Sequence, residues 1–142
     1  MLKFIDFFGN RSLVVLIEFF LSNDGEYSQK EIGKKTKLSK ATLIKWLNKL
    51  EKNRLIRLKK IGVTKLYKVN KSNQVAKQLK ILKTLSELSY LDLQKDIKIY
   101  LYGSAARGEN DSKSDIDLII IGRIKKEDIF KDIKDLSKKI KK

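Results

Sequence analysis

Two aspartates, Asp115 and Asp117, stand two residues apart in the run Ser114-Asp115-Ile116-Asp117-Leu118, which leads into Ile119, Ile120 and Ile121. The run is β-prone, and a strand turns alternate side chains to opposite faces. Both carboxylates are therefore expected on one side, with Ile116, Leu118 and Ile120 on the other. Two carboxylates this close repel one another unless a positive charge lies between them. A hard cation with oxygen ligands is the usual remedy, typically Mg²⁺ alongside substrate phosphates. The chain has no His and no Cys, which excludes histidine-based catalysis, disulfides and thiolate zinc sites and leaves only oxygen to hold a metal. Upstream, Gly103 lets the backbone approach a ligand closely, and Ser104 adds a hydroxyl where a phosphate oxygen could be met. Taken alone, an Asp-x-Asp pair also suits a loop edge with solvated acids.

The surrounding pattern says what positions these groups. Val75, Leu79 and Leu82, with the parallel set Ile81, Leu85 and Leu88, predict one long amphipathic helix. Ile97, Ile99 and Leu101 then alternate with Lys98, Tyr100 and Tyr102 as a strand that delivers Gly103 and Ser104. Ile129, Ile133, Leu136 and Ile140 put one apolar face on a last helix over residues 127–142. A strand, Gly-Ser, a connection containing Arg107, and Ser-Asp-Ile-Asp-Leu entering a second strand together resemble the nucleotidyltransferase fold of the DNA polymerase beta superfamily. The match is closest to its minimal nucleotidyltransferase branch. The resemblance implies that Gly103 and Ser104, with Arg107 beside them, hold the phosphates of a nucleoside triphosphate, expected to be ATP. It also implies that Asp115 and Asp117 are the catalytic acids and bind Mg²⁺ or Mn²⁺. The family adds a third acid from a later strand, beyond the helix that follows the pair. Here that helix closes the sequence, and neither Asp96 nor Glu109 stands in the family's position. Three expectations follow: a truncated form, a site completed by a second chain, or a domain that binds nucleotide or protein without transferring anything.

The first half has a different character. Leu13, Leu16, Ile17 and Phe20 form a helical stripe ending near Ser22-Asn23-Asp24-Gly25. Ser28 and Glu31 have capping-box spacing for a short helix carrying Ile32, and Thr36 to Leu38 make a turn. Ser39 caps a second helix in which Leu43, Leu47 and Leu50 are buried, while Lys40, Lys45, Lys49 and Lys52 lie mostly off the stripe. Two β-prone segments, Leu55 to Ile61 and Val63 to Val69, follow around Gly62 with Lys59, Lys60, Lys65 and Lys68. From Arg11 to Asn70 the chain resembles the winged-helix regulators. One departure is Arg54, where that family often has Gly, and Asn53 is expected to supply the left-handed turn. The resemblance implies that Ser39, Lys40, Thr42, Lys45 and Lys49 face double-stranded DNA, with Lys59, Lys60 and Lys65 on a wing that touches phosphate.

The expected architecture is α+β: a winged helix-turn-helix DNA-binding domain over residues 1–72, followed by a truncated α/β nucleotidyltransferase domain over 73–142. The charge agrees with a polyanionic partner, since 33 basic residues face 17 acidic ones for a net +16. Residues 1–75 hold 17 basic against 6 acidic side chains, and residues 76–142 hold 16 against 11. The apolar stretch from Leu13 to Leu21 is too short for a bilayer and is broken by Glu18, so no membrane association is expected and the location is expected to be cytoplasmic. Units this small are marginal alone, which favours a homodimer. Two functions remain open at this point. One is Mg²⁺-dependent transfer of a nucleotidyl group to a nucleic-acid hydroxyl or to a protein such as a toxin. The other is transcription regulation, with the second half serving ligand sensing, partner docking or dimerisation.

Overall fold

The computed structural model describes residues 9–89, 91 and 97–140. Helix α1 (Arg11–Ser22) begins where the Asn10 side chain accepts a hydrogen bond from the Leu13 N–H at 3.0 Å, satisfying one of the donors a helix start leaves free. A two-residue strand, β1 (Tyr27–Ser28), leads into α2 (Gln29–Thr36). The capping box is formed: Ser28 Oγ accepts from the Glu31 N–H, and Glu31 accepts from the Ser28 N–H at 2.7 Å. Ser39 caps α3 (Lys40–Lys52) in the same way. Strands β2 (Ile56–Ile61) and β3 (Thr64–Val69) form a hairpin whose loop is Gly62-Val63, and β1 adds to β3, giving a three-stranded antiparallel sheet of order β1-β3-β2.

The turn after α3 corrects one expectation. Asn53 stays near helical geometry, and its side-chain amide donates to the Lys49 carbonyl. Arg54 takes the left-handed conformation instead, with φ at 59°. A non-glycine residue there costs on the order of 1–2 kcal/mol, and Asn70 holds the strained turn by donating from its side chain to the Arg54 carbonyl at 2.8 Å.

Helix α4 (Gln74–Leu88) crosses from this part of the chain to the next. Strands β4 (Ile97–Tyr102) and β5 (Asp117–Gly122) pair antiparallel, with the short helix α5 (Gly103–Ala106) and a loop between them, and α6 (Lys126–Ile140) follows. The described residues thus form a mixed α+β fold with two small antiparallel sheets.

Three apolar clusters hold it together. The largest joins Leu16 and Phe20 of α1, Ile32 of α2, Leu43 and Leu47 of α3 and Ile56 of β2. A second seats Val14 and Leu21 of α1 against Leu79 and Leu82 of α4. The third joins Leu88, Leu91 and Leu136, with Ile99, Leu101, Ile116 and Leu118 laid on them from the strands. Because α4 serves two clusters on different sides, its apolar residues do not form the stripe expected from their spacing. Val75 and Leu85 are exposed, while Ala76, Thr84 and Ser86 are buried. Thr84 and Ser86 are tolerated there because each hydroxyl donates to a helix carbonyl. Of the face expected on the last helix, Leu136 is buried and Ile133 packs against its cluster, and the Ile140 side chain lies outside the described residues.

Leu16 is fully buried at the centre of the largest cluster, whereas Val63 at the hairpin tip is fully exposed. Leu16→Ala is expected to destabilise the chain by about 2–5 kcal/mol, and Val63→Ala by less than about 0.5 kcal/mol. Urea unfolding followed by circular dichroism compares the two, and equal effects would mean that the α1 packing is wrong.

Candidate functional site

The register of β4 against β5 sets the site. Tyr102 pairs with Asp117, so the last residue of one strand faces the first of the other, and Gly103 begins its turn beside the Asp117 side chain. Gly103 sits at φ 71°, a conformation that favours glycine. A Cβ built there would lie 2.5 Å from Asp117 Oδ2, so the carboxylate takes the space that any other residue would fill. Ile116 and Leu118 point into the apolar cluster, and Asp115 and Asp117 are exposed. Asp117 begins β5 and shares its outer face with Tyr100, Tyr102, Ile119 and Ile121, all exposed, whereas Asp115 lies just before the strand. Among the described residues neither Asp115 nor Asp117 is met by a hydrogen-bond donor or a cation, so both keep their oxygens available.

Ser104 anchors the turn through its backbone. Its carbonyl accepts from the Glu109 N–H at 2.9 Å and the Arg107 N–H at 3.2 Å. Arg107 is exposed, and its Nε donates to Glu109 Oε2 at 2.9 Å, while Lys77 Nζ reaches Glu109 Oε1 at 3.1 Å. These two partners hold the Glu109 carboxyl below the ordinary glutamate range. Gly108 then passes so close to the Lys77 carbonyl that a Cβ would collide with backbone. Further along, the Lys113 N–H and the Ser114 hydroxyl both donate to Asp111 Oδ1, lowering the pKa of that group.

A residue from far upstream completes the loop. Asp24, between α1 and β1, accepts from the Ser112 N–H at 2.6 Å, and its other oxygen lies 2.9 Å from Lys71 Nζ and 3.9 Å from Lys80 Nζ. Burial works against the Asp24 charge, but Lys71, the Ser112 N–H and Lys80 together outweigh it, and its pKa is lowered. Composition and periodicity gave no hint of Asp24, Lys71, Lys77 or Lys80. Asp24 reads locally as one more polar residue of a turn, and its partner Ser112 is remote in sequence.

The residues expected to face DNA lie apart from these, on α3 and the β2–β3 hairpin. Ser39, Lys40, Lys45 and Lys49 are exposed and Thr42 is half-buried, with the Ser39 hydroxyl donating to Thr42 Oγ1 at 2.9 Å. The Lys45 and Lys49 ammoniums each stand 5.2 Å from the centre of the Trp46 ring. Lys60 and Lys65 face each other across the hairpin, and Lys59 pairs with Glu26, which also holds Lys68. Of the acids near the pair in sequence, Asp96 lies outside the described residues. Among the described residues no group of three or more acidic side chains gathers where a metal ion could sit.

Residues 75–142 match the family model of the nucleotidyltransferase domain. No curated protein and no solved structure matches the chain. The C-terminal part is therefore a nucleotidyltransferase-like domain, a class that in general uses a nucleoside triphosphate and a divalent metal. The side chains present suit a hard cation: two exposed carboxylates without a cation partner among the described residues, one of them beside a glycine whose missing Cβ leaves it room. Among the described residues no helix is long and apolar enough to cross a membrane.

The lowered pKa of Asp24 gives its contacts a pH signature. Folding favours its charged form, so its stabilisation is complete above the unfolded value of about 3.9 and is lost as pH falls through the lower folded value. Glu18 acts oppositely, because burial raises its pKa, with Lys83 opposing that shift and Glu87 adding to it, so its charge costs stability at neutral pH. Urea unfolding of wild type and Asp24→Asn should show a stability gap that narrows as pH is lowered from about 7 to about 3. A gap independent of pH would mean that Asp24 does not act through its charge.

Proposed function

We propose that the chain is a DNA-binding protein, with a winged helix-turn-helix over residues 1–72, whose domain at 73–142 transfers a nucleotidyl group from a nucleoside triphosphate, ATP by preference, to a hydroxyl. The observation that supports the transfer is the Asp117 carboxylate lying against Gly103, where the Gly-Ser turn meets the second acid of the pair. In this reading Gly103 brings backbone close to the triphosphate, and the Ser104 hydroxyl donates to a phosphate oxygen. Asp115 and Asp117 supply oxygen ligands for Mg²⁺ or Mn²⁺. Arg107, exposed and shared with Glu109, adds positive charge beside the phosphates. The acceptor hydroxyl gives its proton up to solvent, and its oxygen bonds the α-phosphorus as the bond to pyrophosphate breaks and pyrophosphate leaves. A bound divalent ion supplies charge stabilisation for the attacking and leaving oxygens. The acceptor is a nucleic-acid hydroxyl or a protein partner such as a toxin.

A second reading, a DNA-binding regulator whose C-terminal domain senses a ligand, docks a partner or dimerises, draws support from the absence of a third acid beside the pair among the described residues. Calorimetric titration of ATP and GTP with Mg²⁺ into wild type and into Asp115→Asn/Asp117→Asn tests the metal-nucleotide site that the transferase reading requires. The transferase reading expects binding in the wild type that falls at least tenfold in the double variant. No binding in either would leave the regulator.

DNA binding is supported by the order of α2, a turn, α3 and the β2–β3 hairpin, and by the lysines along the outer side of α3. The opposed Lys60 and Lys65 add a physical reason, since like charges directly across a strand pair are destabilising and a phosphate between them relieves that repulsion. Lys59 is already paired with Glu26, so it would contribute less than its neighbours. Affinity for duplex DNA is expected to fall by roughly 0.9 log units per tenfold rise in salt for each phosphate contacted. Lys60→Gln/Lys65→Gln should flatten that slope, and binding indifferent to salt would sink the DNA reading.

A further inference from the structure

At the junction between α1, β3, α4 and the loop after α5 lies a cavity of about 250 Å³ whose rim carries Lys71, Lys77 and Lys80. Leu21 and Val69 form apolar wall, and Asn110 contributes a polar one. Two groups on this lining are left short of hydrogen bonds among the described residues. The Lys80 side chain is only 12% exposed, yet its nearest carboxylate oxygen, on Asp24, is 3.9 Å away, beyond hydrogen-bonding range. Asn110 Oδ1 is buried without a hydrogen-bond donor among the described residues. Buried polar groups are normally satisfied, so an ammonium and an acceptor left open on one cavity call for a molecule that supplies an anion and a donor together.

The charges around the cavity point the same way. Lys71 and Lys80 share Asp24, and Lys77 and Arg107 share Glu109. Asp111 is within electrostatic reach of Lys71 and Lys80, but its Oδ1 is taken by the Lys113 N–H and the Ser114 hydroxyl. The lining itself carries three lysines against one carboxylate, Glu109, in a partly enclosed space, where an anion is stabilised more than in open water. The volume falls just short of the ~300–1,000 Å³ of sites for drug-sized ligands, which sets the size of the occupant.

We infer that this cavity is a binding site for a small phosphate monoester of about sugar-phosphate size, its phosphate held by Lys71, Lys77 and Lys80 and a hydroxyl donating to Asn110 Oδ1. The site needs no divalent metal and is separate from Asp115 and Asp117. Burial lowers the pKa of Lys80, a cost that a bound phosphate would offset. The phosphate also competes with Asp24 for Lys71 and Lys80, and Asp24 is the residue that holds the Ser112 N–H.

The test is calorimetry of the full chain in EDTA with ribose 5-phosphate, inorganic phosphate and ribose, together with amide chemical shifts. Ribose 5-phosphate should bind more tightly than phosphate, and ribose should not bind. Affinity should fall at least tenfold in Lys80→Gln and severalfold in Lys71→Gln, whose exposed side chain can change without disturbing the core. It should be unchanged in Asp115→Asn/Asp117→Asn. In the wild type, shifts should concentrate at Asn110 and Ser112, which keeps the test decisive if Lys80→Gln fails to fold. Absence of binding, phosphate binding as tightly as the ester, or loss in the aspartate double variant would each overturn the inference.

Discussion

The Asp117 carboxylate occupies the volume that a side chain at residue 103 would need, and the site is arranged around that exclusion. It requires β4 to end where β5 begins, which the Tyr102–Asp117 pairing provides. It requires a residue that accepts φ near 71°, which Gly103 provides. The helical turn that follows folds back through the Ser104 carbonyl, so Arg107 and Glu109 are placed by the same few atoms. The apolar side of the two strands lies on Leu88, Leu91 and Leu136 and fixes the sheet from behind. Both carboxylates are thus left exposed, without a cation partner among the described residues.

Electrostatics in this chain is organised by a few acids that are each shared between two cations. Glu26 takes Lys59 and Lys68, Asp24 takes Lys71 and Lys80, and Glu109 takes Lys77 and Arg107. In a sequence with 33 basic residues and 17 acidic ones, that sharing places positive charge locally without cancelling it. The exposed lysines of α3, with Lys60 and Lys65 of the hairpin, stay outside these clusters, which leaves them the most available to a polyanion. Surface pairs of this kind contribute little to stability individually, so their main effect is on which faces remain positive.

Much of the fold could be read from local patterns. The Ser28–Glu31 capping box, the Ser39 cap and the strand alternation of Ile97, Ile99 and Leu101 are short-range signals, and each element formed where it was expected. The Asp-x-Asp pair and the Gly-Ser turn were visible because their spacing is itself the signal. What was missed depends on distant partners. The left-handed residue after α3 is Arg54 and not Asn53, since Asn70 stabilises the Arg54 carbonyl. The exposed Val75 and Leu85 follow from α4 being packed on two sides by α1 and by the strand cluster, a division that helical period alone does not contain. Helix α5 is one turn long, too short for periodicity to mark. Asp24 and the lysines around it are brought together by the packing of α1 on α4.

The Asp24–Ser112 hydrogen bond crosses residue 75, where the similarity to nucleotidyltransferase domains begins. The nucleotidyltransferase-like segment borrows an acceptor for its loop, and an apolar partner for Leu79 and Leu82, from residues that precede it. A fragment beginning at that border would lose both, leaving a bare amide near the aspartates and an uncovered strip on α4. The matched segment and the unit that packs together are therefore different lengths of chain. A transplant of the shorter one into another protein would have to bring a replacement for α1 and its acid.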